Sequence, residues 1–266
     1  MDSDLTAKSR KGGKGEAIEV PMREAPGRGF RAPCRAEPSN KTPISPEEQM
    51  TTNQPTERVE FFFDPLCPWA WLTSLWIREV QKHHPLHVEW KFFSLAGIND
   101  RADEWHGPLR IAALARREGG NDAAGRAYLA LGRLFHERSD SFDQIGELAE
   151  LAAPYLEDVG LPGDLSSRAL QDESTLEDVL ADHRPAVEKL GAFGVPWIVV
   201  EGDERGFFGP VVGEDLRGQE AVDLWHHFRW MANRPYLYEL KRGGRKRLQD
   251  LSGLSLRFGE PVSAAR

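Results

Sequence analysis

The chain has 266 residues, room for one large domain or two small ones. A hydrophobic fraction of 40% supports a real core, and a formal charge of -8 argues against a nucleic-acid surface. Only two cysteines are present, Cys34 and Cys67, which disfavours a disulfide-stapled secreted fold, and no run reaches the ~18 apolar residues of a membrane span. The start, Met1-Asp2-Ser3-Asp4, lacks the basic and apolar regions of a signal peptide, so the expected home is a reducing cytoplasm.

Residues 1–56 are rich in Pro, Gly, Ser and mixed charge with few large apolar side chains. They cannot bury enough surface to offset their ordering entropy and are predicted to form a disordered tail. Val59 to Phe63 reads as a buried strand ended by Asp64-Pro65. Residues 68–83 follow as a helix, with Pro68 in its first turn and Leu72, Leu75, Trp76 and Val80 at helical spacing. Val88, Trp90 and Phe92 alternate with polar neighbours as a second strand, which makes a parallel β-α-β unit. From about 100 to 190 the pattern is helical: residues 109–117, 124–138, a stripe at Ile145, Leu148, Ala149 and Ala152, and 172–190 with Pro185 as a kink. Strands return at Trp197 to Val200 and Gly206 to Phe208, and a last helix carries Ala221, Leu224, Trp225, Phe228 and Met231 on one face. The order β-α-β, helical block, β-β-α predicts an α/β thioredoxin-like domain over 57–240 with an all-helical insertion, then a loose tail over 241–266.

Cys67-Pro68-Trp69-Ala70 stands at the strand-to-helix junction, where thioredoxin folds keep a Cys-x-x-Cys pair. Unpaired amides and the helix dipole favour a thiolate at that place, which makes Cys67 the candidate nucleophile rather than a small buried hydrophobe. Val195-Pro196, just before the third strand, occupies the position of the thioredoxin cis-proline, whose preceding backbone binds substrate. Trp69 stands beside the thiol as a wall, a stacking surface or a core residue. His136, Asn99 and Arg110 are by residue type ordinary polar positions. The pairs His83-His84 and His226-His227 diverge by about 100° on a helix and chelate poorly. With no zinc spacing and no Gly-x-Gly-x-x-Gly, neither a metal nor a nucleotide cofactor is expected.

Phe63-Asp64-Pro65-Leu66-Cys67-Pro68-Trp69, followed by Trp71-Leu72-Thr73-Ser74, resembles the active-site segment of the mycothiol-dependent nitroreductases, which are DsbA-like thioredoxin-fold proteins. The resemblance continues through Ser94-Leu95-Ala96 with Asn99, His106 to Arg110, Phe207-Phe208-Gly209-Pro210, Leu224-Trp225 and Pro235 to Arg242. It implies a cytoplasmic reductase that draws electrons from mycothiol or a similar low-molecular-weight thiol and acts on disulfides or electrophilic small molecules. Carried over by position, Cys67 is the attacking thiolate. Pro68, Trp69, Asn99, Arg110, His136, Val195 and Pro196 then form the substrate- or thiol-binding surroundings.

The departure from that pattern is Ala70, where the family commonly has a resolving cysteine. A mixed disulfide at Cys67 then has to be resolved by a second small thiol. Two alternatives remain: a kappa-class-like thiol transferase or isomerase, and a degenerate thioredoxin-fold binding protein. Either a monomer or a homodimer is compatible with the sequence.

Overall fold

A computed structural model describes residues 56–137, 144–244, 251, 253–255 and 258. The site lies in a unit running from Asn53 to Arg266. The expected disordered tail up to residue 55, and Cys34 within it, lie outside the described residues.

Strand β1 (Glu57–Phe63) is apolar at its end because both sheet faces are covered there: Phe61, Phe62 and Phe63 are all buried. Helix α1 (Pro68–His83) returns the chain to β2 (Leu86–Phe92), which pairs parallel to β1 with Phe61 opposite Trp90. Strand β3 (Trp197–Val200) runs antiparallel to β1, and β4 (Phe207–Phe208) antiparallel to β3, giving the sheet order β2-β1-β3-β4. Helix α7 (Gly218–Ala232) closes the β-β-α half, its Ala221 carbonyl accepting the Trp76 indole N–H at 2.9 Å. This is the thioredoxin-like arrangement the sequence order predicts. No helix among the described residues is long and apolar enough to cross a membrane.

Between the halves lie α2 (Leu95–Ile98), a 3₁₀ turn (Asp103–His106), α3 (Gly107–His136), α4 (Leu148–Asp158), α5 (Leu165–Gln171) and α6 (Ser174–Glu188). The two predicted segments 109–117 and 124–138 join into α3, broken only where Gly120 turns to φ 71°. The insertion also finishes the sheet. Edge strands expose unpaired amides, and here Asn121 bridges the Trp90 N–H (2.7 Å) and the Val88 carbonyl (2.8 Å), while Asp182 accepts the Phe92 N–H.

Among the described residues two hydrophobic cores result. The larger joins Phe61, Phe63, Trp71, Trp76, Trp90, Tyr128 and Trp225. The smaller contains Phe62, Ala70, Phe93, Val195 and Trp197, and Cys67 and Leu95 pack against it. Helix α3 approaches the large core through glycine: the Trp71 ring lies 2.1 Å from where a Cβ on Gly132 would stand.

Within the stretch expected to be a loose tail from 241, residues 241–244 are exposed, whereas residues around Ser255 dock on the domain. The buried Arg133 guanidinium donates to the Ser255 hydroxyl (2.8 Å) and carbonyl (3.0 Å), and Glu137 accepts the Gly253 and Ser255 amides. Leu251, Leu254 and Phe258 pack on the large core. A buried cation needs acceptors, and this short stretch brings them; its weak periodicity hid it.

Gly132→Ala separates helix propensity, which favours alanine by about 1 kcal/mol, from the clash with Trp71. The clash dominates, and a loss of about 1–3 kcal/mol is expected in urea unfolding. A variant as stable as the parent shows that moving Trp71 aside costs no more than the ~1 kcal/mol that helix propensity returns.

Candidate active site

Cys67 is the N-cap of α1. Its backbone is extended (φ -93°, ψ 110°), and its sulfur accepts the Ala70 N–H at 3.4 Å. A sulfur so placed receives one of the unpaired amides of a helix start together with the positive end of its dipole. The thiol donates to the Val195 carbonyl at 3.6 Å. The Val195–Pro196 peptide is cis, as the sequence position predicts, and so is Gly209–Pro210, which was not anticipated. Position 70 keeps its backbone role in the cap while its methyl group is buried in the small core.

The other candidates divide by placement. Pro68 is the first residue of α1, and Trp69 is half-buried with its ring edge 3.6 Å from where a Cβ on Gly213 would lie. The 210–212 loop is tied to the same turn by Thr73, whose hydroxyl donates to the Trp69 carbonyl and accepts the Val212 N–H. His136 reaches the thiol loop from α3: its Nε2 donates to the Pro65 carbonyl at 2.7 Å, which fixes the proton on that nitrogen. Burial pushes this imidazole down to about 4, so it is neutral at pH 7. Asn99 is exposed at the end of α2 and spends an amide hydrogen on the Leu95 carbonyl. Arg110 donates to the Thr175 hydroxyl and to the carbonyls of Ala169, Leu170 and Asp172. Those bonds clamp the α5–α6 connection.

Asp64 does more than end β1. Fully buried, its carboxylate accepts the Leu66 N–H (2.9 Å) and the Leu95 N–H (2.8 Å), while its own carbonyl accepts the Cys67 N–H (3.0 Å). The sequence signal was an Asx-turn residue three positions before the thiol. Around it, Ser94 donates its N–H to His183 and shares a hydrogen bond with His106. Burial pushes both histidines down. Among the described residues no group of three or more His, Cys, Asp or Glu side chains is placed to hold a metal.

Burial holds the Asp64 carboxyl up at about 6 against the pull of its two amide donors. The folded protein thus takes up this proton before an unfolded chain does, and Asp64 adds stability as pH falls from about 6 to about 4. His136 works the opposite way, charging in the unfolded chain first over the same range. The stability of the parent relative to Asp64→Asn is therefore expected to shift in the parent's favour by about 2 kcal/mol on acidification from pH 6 to 4. Urea titrations across that range measure it, and a gap that stays constant shows an ordinary carboxyl.

The sequence model of one family, described as mycothiol-dependent nitroreductase Rv2466c, matches residues 66–242. A protein of Mycobacterium tuberculosis (strain ATCC 25618 / H37Rv), described as uncharacterized protein Rv2286c, is 36% identical over 194 residues, 69% of this chain and 81% of its own. Among solved structures, the cytosolic disulfide reductase DsbM of Pseudomonas aeruginosa superimposes with a TM-score of 0.45 at 14% identity, over 65% of this chain and 99% of its own. A probable DsbA oxidoreductase of Streptomyces coelicolor gives 0.43 at 20%, over 70% and 93%. Both structural likenesses are too partial to bear on activity. The family match spans the thiol loop, the insertion, the cis-proline and α7, and the chain belongs to the Rv2466c-like family of mycothiol-dependent nitroreductases and is a thiol oxidoreductase.

Proposed function

We propose that the protein reduces disulfides, or nitroaromatic and other electrophilic small molecules, by a mono-thiol mechanism with Cys67 as nucleophile and mycothiol as the electron source, in the cytoplasm. One observation carries this reading: the Cys67 sulfur caps α1 against the Ala70 N–H and faces the Val195 carbonyl beside a cis-proline, while position 70 itself offers only a methyl group.

With a disulfide substrate the steps balance as follows. The Cys67 thiolate attacks one sulfur, the S–S bond breaks, and one substrate thiolate leaves. A small thiol then attacks the mixed disulfide, releasing Cys67 and carrying the other half away as a new mixed disulfide. A second small thiol frees that half, so each turnover consumes two small thiols and yields their disulfide. The Ala70 amide holds negative charge on the Cys67 sulfur through both steps, and Val195 and Pro196 border the approach of the second sulfur. Trp69 walls one side. His136 and Asp64 act as positioning residues, holding the thiol loop from beneath at Pro65 and Leu66.

Incubation of the full chain carrying Cys34→Ser with the disulfide form of mycothiol is expected to add one thiol mass, located at Cys67 by peptide mapping and absent when Cys67→Ser is added. An unmodified Cys67 that binds the thiol without a covalent bond sinks the mono-thiol mechanism in favour of a transferase. Ala70→Cys is expected to release the adduct without added thiol by closing a 67–70 disulfide. An adduct that persists in that variant shows that the buried position cannot present a sulfur to Cys67.

A further inference from the structure

Cys67 packs against the small core. Trp197 of β3 belongs to it, and an aromatic series leads outward from there. Phe193 meets the Trp197 ring edge-on with centroids 5.5 Å apart, and it stacks on Phe208 of β4 at 5.0 Å. Phe193 is 65% exposed and Phe208 38%. Stacked rings left in water at the border of a core are costly to keep unless something covers them, and exposed apolar groups of this kind mark binding surfaces.

Their position ties them to the thiol. Phe193 stands two residues before Val195, whose carbonyl receives the Cys67 thiol. Phe208 lies against Gly194, where a Cβ would come within 3.3 Å of its ring, so the missing side chain lets the ring lie along the loop that leads to Pro196. The two segments that frame the sulfur thus each carry an aromatic group, Trp69 on α1 and Phe193 on the cis-proline loop. Among the described residues the cation–π contacts involve other rings (Arg205 lies over Tyr238, Arg234 over Trp230), and neither Phe193 nor Phe208 has one. A surface of this kind selects area and flatness over charge.

We infer that Phe193 and Phe208 form a subsite for a flat, uncharged aromatic group joined to the atom that Cys67 attacks. Aromatic disulfides and aromatic electrophiles are then the preferred reactants of this thiol. The inference rests on Cys67 being the reacting group, as in the proposed function, and adds the residues that select aromatic over aliphatic reactants.

The test compares two uncharged disulfides, 4,4′-dithiodipyridine and bis(2-hydroxyethyl) disulfide, on the full chain carrying Cys34→Ser. In each reaction Cys67 forms a mixed disulfide and one thiol is released and counted. The aromatic-to-aliphatic rate ratio is expected to exceed that of a simple cysteine peptide. Phe193→Ala and Phe208→Ala are each expected to lower the aromatic rate about threefold to tenfold and to leave the aliphatic rate within about twofold. Phe193→Leu, which keeps apolar bulk but loses the flat face, is expected to fall between parent and alanine variant.

Equal losses with both probes mean that the loop or the thiol has changed, and they overturn the inference, as do variants that behave like the parent. A dimer that dissociates on Phe193→Ala while both rates hold assigns the surface to a second copy of the chain and also overturns it. Cys67 reacting with neither disulfide defeats the mono-thiol reading itself. Reaction with both at rates indifferent to Phe193 and Phe208 defeats only the subsite.

Discussion

The buried carboxyl of Asp64 joins three parts of the molecule that would otherwise meet only by packing. It receives amides from Leu66 in the thiol loop and Leu95 at the head of the insertion, while its main chain receives the amide of Cys67. Buried amides without acceptors cost about 1–3 kcal/mol each, so the end of β1, the start of α1 and the start of α2 are held in one relation. The helix dipole is useful at Cys67 only because this junction aims the first turn of α1 at the sulfur.

The polar groups around the thiol follow from that junction. Asp64 is raised and His136 lowered by the same cause, removal from water, and both are thereby driven toward their neutral forms. His136 spends its proton on the Pro65 carbonyl, and the neighbouring Ser94, His106 and His183 hold one another. Negative charge on Cys67 is supported by the backbone, through the Ala70 N–H and the helix start. That arrangement does not depend on the side chain at position 70, so a methyl group there removes the second sulfur of a dithiol site and leaves the first in its setting.

The helical insertion serves the site at two places. Its first residues supply Leu95 beside Cys67, and the end of α3 supplies His136 beneath the thiol loop. Asn121 of α3 and Asp182 of α6 occupy the open edge of β2, replacing a neighbouring strand with side chains. The sheet that carries the thiol loop is thus finished by the element that also walls the site.

Much of this was legible in local pattern. The apolar run of β1, the alternation of β2, the helical spacing after Pro68 and the returning strands at Trp197 and Phe207 each report burial within a few residues, and together they order the fold. Cys67 was legible because its meaning comes from a helix start, and Pro196 because it precedes a strand at the matching place. Other features depend on partners far along the chain. Asp64 meets Leu95 across 31 residues, Arg110 meets Asp172 across 62, His136 meets Pro65 across 71, and Arg133 meets Ser255 across 122. Periodicity reports which side of an element faces the core but not what it meets there. For that reason Gly132 under Trp71, the clamp made by Arg110, the docked residues near Ser255 and the ring pair of Phe193 and Phe208 were decided by the tertiary structure, whereas the thiol and its helix were already determined by the order of the residues.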